Sequence, residues 1–595
     1  MSLNPTWVVL LTLIGSFALM FSDLLRYDLV ALLVVLALVL FGALTPPEAF
    51  AGFSSEAPVV VACMCVFGRA MSRWGVAEAL CSRLFRSTKT GEAGMVVRLS
   101  MVAGVFAAFM TDSAVVGVLI PIAHALSRQR KVPISRLLLP ISFGCFFGDL
   151  LLVVGSAKNI ALNGALRDLG ARPFDMFEFT HFGACVMVLG IAYMAGPGRK
   201  LLPKTVFADS LSERYHIPKF VTEVVIEPSS ELIGRTTSEL RWARDYNVGL
   251  LGVVRGDGQD TQLVPSPYTR IQGGDLLIVQ GEPEHVLRLQ RELGLQLGQR
   301  AKLGDKMLAS DDVQLVEAVV PASSDLVGRT LAESDFRART GLHVLAISKH
   351  GEVVVRKIGR TPIGVGDTLL IQGHRPDVER ARREREVLVL SEHEQPRIGS
   401  RAWVTVGLLV AVMTLAGFGV LTLGVAALAG AVALVLTGCV QVREVYDSID
   451  WVVIILIGGM LALGKAIDKH ELGAALANWV TSIDYLAAHP RLLIVGLCVL
   501  AVTLAQAATS VGTAVLLAPV ALSLASGLGV NERAFLMAVL CGTNCAFLSP
   551  VANAANAMVV GPGGYRLRDF LRAGLPLTAL IVILAGVLIP ILWPL

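Results

Sequence analysis

The chain has 595 residues, 54% of them hydrophobic and only 16% charged, with a mean hydropathy of +0.66. Soluble globular proteins carry nearer a quarter of their residues charged, so this composition describes a polytopic membrane protein. A formal net charge of +4 and the lack of a long basic run exclude a nucleic-acid binder. Nine cysteines are present, none between Gly198 and Ser400, and Cys63 and Cys65 have no second pair at zinc-ligand spacing. They read as small apolar packing residues, and no metal site is expected.

The N-terminus, MSLNPTWVVLLTLIGSFALMF, lacks the basic start and small-residue cleavage site of a signal peptide and reads as a retained first span near 6–22. Apolar stretches of about 17–25 residues, enough to cross a bilayer, follow near 28–44 and 54–72. The block 95–127 is too long for one crossing and carries polar residues in its middle. It is expected to be a hairpin that enters and leaves on one side. A segment from Leu137 breaks around Gly148 to Asn159, and another covers 178–196. After a polar insert the set returns at 402–418, 422–440, 450–467, 491–526, 534–560 and 573–594, with 491–526 as the second hairpin.

The return is also a return of sequence. Thr111 to Pro121 reads TDSAVVGVLIP, and Thr509 to Pro519 reads TSVGTAVLLAP, 398 positions later. Arg136 and Arg533, Gly155 and Ala552, Ser156 and Asn553, and Asn159 and Asn556 pair at an offset of 397. Two related membrane halves are expected, over 1–200 and 400–595. With both hairpins re-entrant, each half makes five crossings, so the halves are inverted repeats. The positive-inside rule then places the N-terminus outside. It puts Arg69, Arg73, Arg83, Arg86, Lys89, Arg98, Arg128, Arg130, Lys131, Arg136, Arg566, Arg568 and Arg572 inside. Lys465, Lys469 and Arg491 in the outer loop 465–491 run against that pattern. The expected location is the cytoplasmic (inner) membrane, with the insert 198–400 in the cytoplasm.

The insert carries its own repeat. Pro228 and the run Leu232 to Thr236 return as Pro321 and Leu326 to Thr330, and Gly274-Asp275-Leu276-Leu277 returns as Gly366-Asp367-Thr368-Leu369. Gly-Asp before apolar β-type residues reads as a tight turn into a buried strand. Two α+β modules are expected, at 210–298 and 305–392. Neither a Walker A motif nor a GxGxxG fingerprint occurs in them, which argues against ATP-driven transport.

Hydroxyls and freed N–H groups at helix starts suit an oxyanion, because the dipole end there is positive. Thr111, Asp112 and Ser113 offer this in the first half, and Thr509, Ser510, Gly512 and Thr513 in the second. Ser156, Asn159, Ser549, Pro550, Asn553 and Asn556 would complete a site between the halves. The alternative role for these groups is hydrogen bonding between helices. Asp112, Asp149 and Lys158 are ionisable residues in apolar surroundings, where a charge is costly. They form either a structural Asp–Lys pair, a proton-coupling carboxylate, or a direct attraction for an anion through Lys158. His124 and His181 lie near segment ends and are expected to be interfacial.

The two hairpins, each running into an apolar stretch that ends in Pro121 or Pro519, resemble the paired substrate hairpins of the divalent anion:sodium symporters, the SLC13-type permeases. Ser549-Pro550 with Asn553, Asn556 and Gly561 to Tyr565 is similar to the branch with an internal soluble insert. The insert resembles two TrkA-C (RCK C-terminal) domains. The resemblance implies an α-helical elevator transporter, commonly a homodimer, moving dicarboxylates, sulfate or related oxyanions in the lipid bilayer. It implies a coupling cation, sodium or a proton, and at the insert a regulatory nucleotide or cyclic dinucleotide. The family's tips carry an Asn that Thr111-Asp112-Ser113 and Thr509-Ser510-Val511 lack, and Asp149-Leu150-Leu151-Leu152 replaces a hydroxyl-rich run. On this reading Lys158 supplies the positive charge that a bound sodium would otherwise give. The functional expectation is a secondary transporter of small anions regulated by its insert, and not an enzyme. The alternatives are an anion exporter or facilitator, a ligand-gated channel, or a membrane sensor that has lost sodium-coupled transport.

Overall fold

The computed structural model describes the chain apart from residues 1–3, 23, 77–90, 204–220, 241, 247, 256–259, 264–265, 267, 282, 294, 298–311, 323, 350–351, 355–357, 385, 391–398 and 508. Arg83, Arg86 and Lys89 of the expected inner loop lie outside the described residues. So do the module limits placed at 210, 298, 305 and 392.

Before the insert run α1 (Pro5–Ser22), α2 (Tyr27–Leu40), α3 (Pro46–Phe50), α4 (Glu56–Arg73), α5 (Glu92–Ala107), α6 (Asp112–Arg130), α7 (Ser135–Asp149), α8 (Ala157–Asp168) and α9 (Thr180–Tyr193). After it run α10 (Ala402–Gly417), α11 (Leu423–Leu436), α12 (Val442–Ser448), α13 (Trp451–Lys469), α14 (Leu472–Thr481), α15 (Pro490–Ala507), α16 (Ser510–Leu528), α17 (Glu532–Asn544), α18 (Ala554–Gly563) and α19 (Leu567–Leu592). Among the described α-helices of five or more residues, the two sets match one for one in order apart from α14. Among the described residues, the stretches Pro46–Arg73, Thr180–Leu201, Trp451–Lys469, Ser510–Leu528 and Leu567–Leu592 are long and apolar enough to cross a membrane. In α2, Val30, Ala31, Val34, Val35 and Leu38 are buried while Leu29, Leu32, Leu33 and Leu36 are exposed. A helix apolar on both faces needs a hydrocarbon surround for the outer one.

Three helices were not expected from the hydropathy windows. α3 and α12 have five and seven residues, and each begins with a capping box, Thr45 with Glu48 and Gln441 with Glu444. The segment 465–491, expected as a loop, is largely helical, because α13 runs to Lys469 and α14 follows.

The halves contact each other reciprocally. α2 lies on α13 and α11 lies on α4; α8 lies on α16 and α18 lies on α6. The ion pairs repeat the exchange. Lys469, closing α13, reaches Glu48 Oε2 of α3 at 2.7 Å. In return Arg69 in α4 reaches Glu444 Oε1 of α12 at 3.2 Å, and Arg73 bonds its other oxygen.

Inside each half, α5 packs on α7 and α15 packs on α17. The approach of α5 and α7 requires glycine: a Cβ on Gly148 would overlap the backbone of Gly104, and one on Gly144 would stand 2.7 Å from the Ser100 carbonyl. This contact fixes the end of α7, where Asp149 sits. Phe143 stacks edge-on to Phe547 at 4.9 Å between ring centroids, so aromatic packing joins α7 to the break in the other half.

The described part of the insert holds two five-stranded antiparallel sheets. The first contains β1 (Val221–Val225), β2 (Gly249–Arg255), β3 (Asp260–Leu263), β4 (Leu276–Gln280) and β5 (Gln296–Leu297), in the order β3-β2-β4-β1-β5. The second contains β6 (Val313–Val319), β7 (His343–Lys349), β8 (Glu352–Val354), β9 (Thr368–His374) and β10 (Leu388–Val389), in the order β10-β6-β9-β7-β8. Read from the opposite edge, the second order is the first. The register shift between β2 and β4 also returns between β7 and β9. Each Gly-Asp pair makes the same turn: Gly274 and Gly366 have positive φ, which glycine adopts without strain. Asp275 then accepts from Gln272 N at 2.8 Å, and Asp367 from Gly364 N at 2.7 Å. The sheets touch through Gln280, whose amide donates to the Leu345 carbonyl at 2.7 Å.

Candidate functional site

The site is built where two helices break. α7 ends at Asp149, the chain runs through a short turn at Val153–Gly155, and an extended Ser156 opens α8. α17 ends at Asn544, and an extended Asn553 opens α18, its side chain accepting from Ala555 N at 2.9 Å. A break at membrane depth exposes carbonyls that must find donors inside the protein. One asparagine in each half supplies them. Asn159 Nδ2 donates to the carbonyls of Asp149 (2.6 Å) and Leu152 (3.3 Å), and Asn556 Nδ2 to those of Ala546 (2.6 Å) and Ser549 (3.0 Å). The acceptors lie ten and seven residues before the asparagine in both cases. Asn556 Oδ1 accepts from Ser142 Oγ of the other half at 2.7 Å, and Asn159 Oδ1 faces Asn544 Nδ2 at 3.5 Å. Both asparagines are buried and their amides are taken up in holding the loops. Of the two roles the sequence leaves open for them, ligand or internal hydrogen bonding, these contacts are of the second kind.

The charges belong to the first break alone. Lys158 Nζ bonds Asp149 Oδ2 at 2.8 Å, with side chains 3% and 0% exposed, and lies 5.8 Å above the Phe146 ring. The Asp112 carboxyl adjoins that of Asp149. Asn553 Nδ2 donates to Asp112 Oδ2 at 2.9 Å, so a hydrogen bond joins residues 441 positions apart. The first hairpin tip and both breaks therefore meet at Asp112. Thr111 is exposed there, and Asp112, Ser113, Ser156, Ser549, Pro550 and Asn553 are partly exposed, while the Asp149–Lys158 pair is buried. The starts of α6, α8 and α18, with the hydroxyls of Thr111, Ser113 and Ser156, are the donors on the exposed side of this group.

The second break is neutral. At the offsets of the repeat, Ala546, Ala555 and Ser510 stand where the first half has Asp149, Lys158 and Asp112. Thr509 Oγ1 accepts from Gly512 N at 3.0 Å and so caps α16. Ser510 Oγ, Thr513 Oγ1 and Asn544 Oδ1 are buried oxygens with no hydrogen-bond partner among the described residues. Hydrogen bonds among the described residues do not tie Thr509–Thr513 to the Asp112 group, although α16 lies on α8. Of the histidines, His181 is exposed at the start of α9, but His124 is buried, because α6 continues to Arg130 and keeps it inside the packed helix.

Helices long and apolar enough to cross a membrane, interrupted by two breaks with a buried charge pair at one of them, describe a multi-pass membrane protein, and the family matches make it a transporter. The chain belongs to the citrate transporter family: that family's model (CitMHS) matches residues 16–489. The model for the transmembrane region of sodium:sulfate symporters, of SLC13 type, matches residues 399–595. The chain is 29% identical over 578 residues to the uncharacterized transporter sll0640 of Synechocystis sp., covering 95% of this chain and 94% of that protein. It is 29% identical over 590 residues to the uncharacterized transporter YfbS of Escherichia coli, covering 96% of each. With sodium/sulfate cotransporter 2 of Chlamydomonas reinhardtii it shares 24% identity over 376 residues, 62% of this chain and 42% of that protein. The family is one of transporters and not of enzymes.

Proposed function

We infer that the chain is a secondary transporter of small multi-oxygen anions, with sulfate and citrate the first substrates to test. The observation that carries this is the Asp112–Asn553 hydrogen bond, which gathers the tip of one hairpin and the two breaks around the Lys158–Asp149 pair. The names of the sodium/sulfate cotransporter relative and of the citrate family support the substrate class. Lys158 acts as a fixed cation, holding the charge that draws the anion to the site. A coupling cation, sodium or a proton, is part of this reading; its candidate ligands are the buried unpartnered oxygens of Ser510, Thr513 and Asn544 and those of Asp112 and Asp149. The reciprocal contacts of the halves support inverted repeats and an elevator movement of the site between two faces. The paired sheets, of TrkA-C type on this reading, form a cytoplasmic regulatory insert.

Uptake of labelled sulfate and citrate into proteoliposomes tests this, under a sodium gradient and then under a proton gradient. Uptake under either, abolished in Lys158→Ala, is the expected result. No movement of either anion under both gradients overturns it.

A further inference from the structure

The second sheet does not stand clear of the membrane helices. Val319 and Leu390 are buried in the apolar core of those helices, with Val365 and Leu388 packed against it, while the rest of that sheet keeps a core of its own. The Gly-Asp turn makes backbone contact with α18: Gly366 abuts the Ala557 carbonyl, and Gly561 abuts the Gly366 carbonyl and Thr368 Oγ1. Leu388 reaches further. A Cβ built on Gly117 of α6 would stand 3.3 Å from Leu388 Cδ1 and 3.4 Å from Met558 Cε of α18. Leu388 is thus lodged where α6 and α18 run side by side.

Those are the two helices that begin at the site. α6 starts at Asp112 and α18 is capped by Asn553, the pair joined by hydrogen bond. Gly117 and Met558 are each five residues further on, about 7–8 Å along a helix at 1.5 Å per residue. The ends of α6 and α18 away from the site also lie on the insert's side, since Tyr565, just after α18, bonds the backbone at Ser135 and Leu139, and Ser135 Oγ donates to the Pro203 carbonyl. Apolar side chains from the insert therefore fill the space between α6 and α18, one and a half turns from the site.

We propose that the second insert module is a plug: the Val365–Gly366 turn and Leu388 close the gap between α6 and α18, and the site opens toward the insert only when the module withdraws. This rests on the transport reading only for its consequence; the closure itself concerns access. The contact is apolar and backbone-mediated, so a ligand that reshapes the sheets would change access without touching the site.

The test uses the full chain in vesicles whose insert faces the bulk solution. Ser549→Cys, with the exposed Cys185 replaced by serine, is labelled with a membrane-impermeant maleimide and the adduct at 549 is followed by mass. Leu388→Ala and, independently, Val365→Ser should each raise the labelling rate at least threefold. Leu388→Cys with Met558→Cys, treated with a short reducible bifunctional thiol reagent, should lower it at least threefold relative to the Ser549→Cys form carrying only one of the two cysteines and treated identically, with recovery on reduction. Equal labelling in all forms would overturn the plug. Labelling that responds as expected while neither sulfate nor citrate crosses the membrane with the unaltered protein upholds the plug and sinks the transport reading.

Discussion

The two broken helices are held alike and charged differently. Asn159 and Asn556 bind carbonyls at the same two distances along the chain, so backbone satisfaction was kept in both halves. The side chains around them diverged: Asp112, Asp149 and Lys158 in one half stand against Ser510, Ala546 and Ala555 in the other. A break in a membrane must always satisfy its carbonyls, but the ligand chemistry beside it is free to vary. The contrast leaves one break charged and the other neutral.

The largest effect should come from splitting the charged pair. Lys158→Ala leaves a fully buried carboxylate without its partner, at a cost of about 3–5 kcal/mol, read as lowered thermal stability in detergent, together with at least tenfold loss of uptake. Asp149→Ala with Lys158→Ala imitates the neutral break of the second half. It should recover most of the stability and none of the uptake, separating scaffold from chemistry. If the double variant is as unstable as the single one, the pair is not acting as a unit.

Next come the clasps, which sharpen the comparison from the other side. Asn159→Ala and Asn556→Ala should each destabilise by about 1–3 kcal/mol, the cost of orphaning buried carbonyls, and by similar amounts. Melting points that differ widely between the two variants would show that the clasps are not equivalent.

The helix starts should differ by a smaller margin. Thr509→Ala removes a capping bond worth about 1 kcal/mol, whereas the Thr111 side chain makes no cap bond and Thr111→Ala should hardly move the melting temperature. Smallest of all are the exchanged ion pairs. Glu444→Gln and Glu48→Gln should cost less than about 1 kcal/mol each, since all the partners are partly exposed. Glu444→Gln should cost more, because it serves two arginines.

Much of this organisation is legible in the sequence. The Thr-to-Pro runs at 111 and 509 and the constant offset around Asn159 and Asn556 mark the paired elements, and costly charges in apolar surroundings mark Asp112, Asp149 and Lys158. The short helices α3 and α12 escape a hydropathy window because a five- or seven-residue amphipathic element has no long apolar run. Their signal is the spacing of Thr45 to Glu48 and Gln441 to Glu444. The sequence leaves two roles open for Asn159 and Asn556, because an amide beside a break can face a ligand or its own backbone; the distances show the backbone bonds. Docking of Leu388 against Gly117 and Met558 was invisible, since an apolar residue closing a strand carries no mark of which core it enters.

The central claim is that Lys158 is the fixed cation of the anion site, and sulfate and citrate uptake by Lys158→Ala beside the unaltered protein tests it most directly. With both reconstituted at equal density and sodium present or absent, the account predicts at least tenfold loss in the variant under both conditions. Uptake by Lys158→Ala at the unaltered rate would contradict it and leave the Asp149 pair a structural ion bridge.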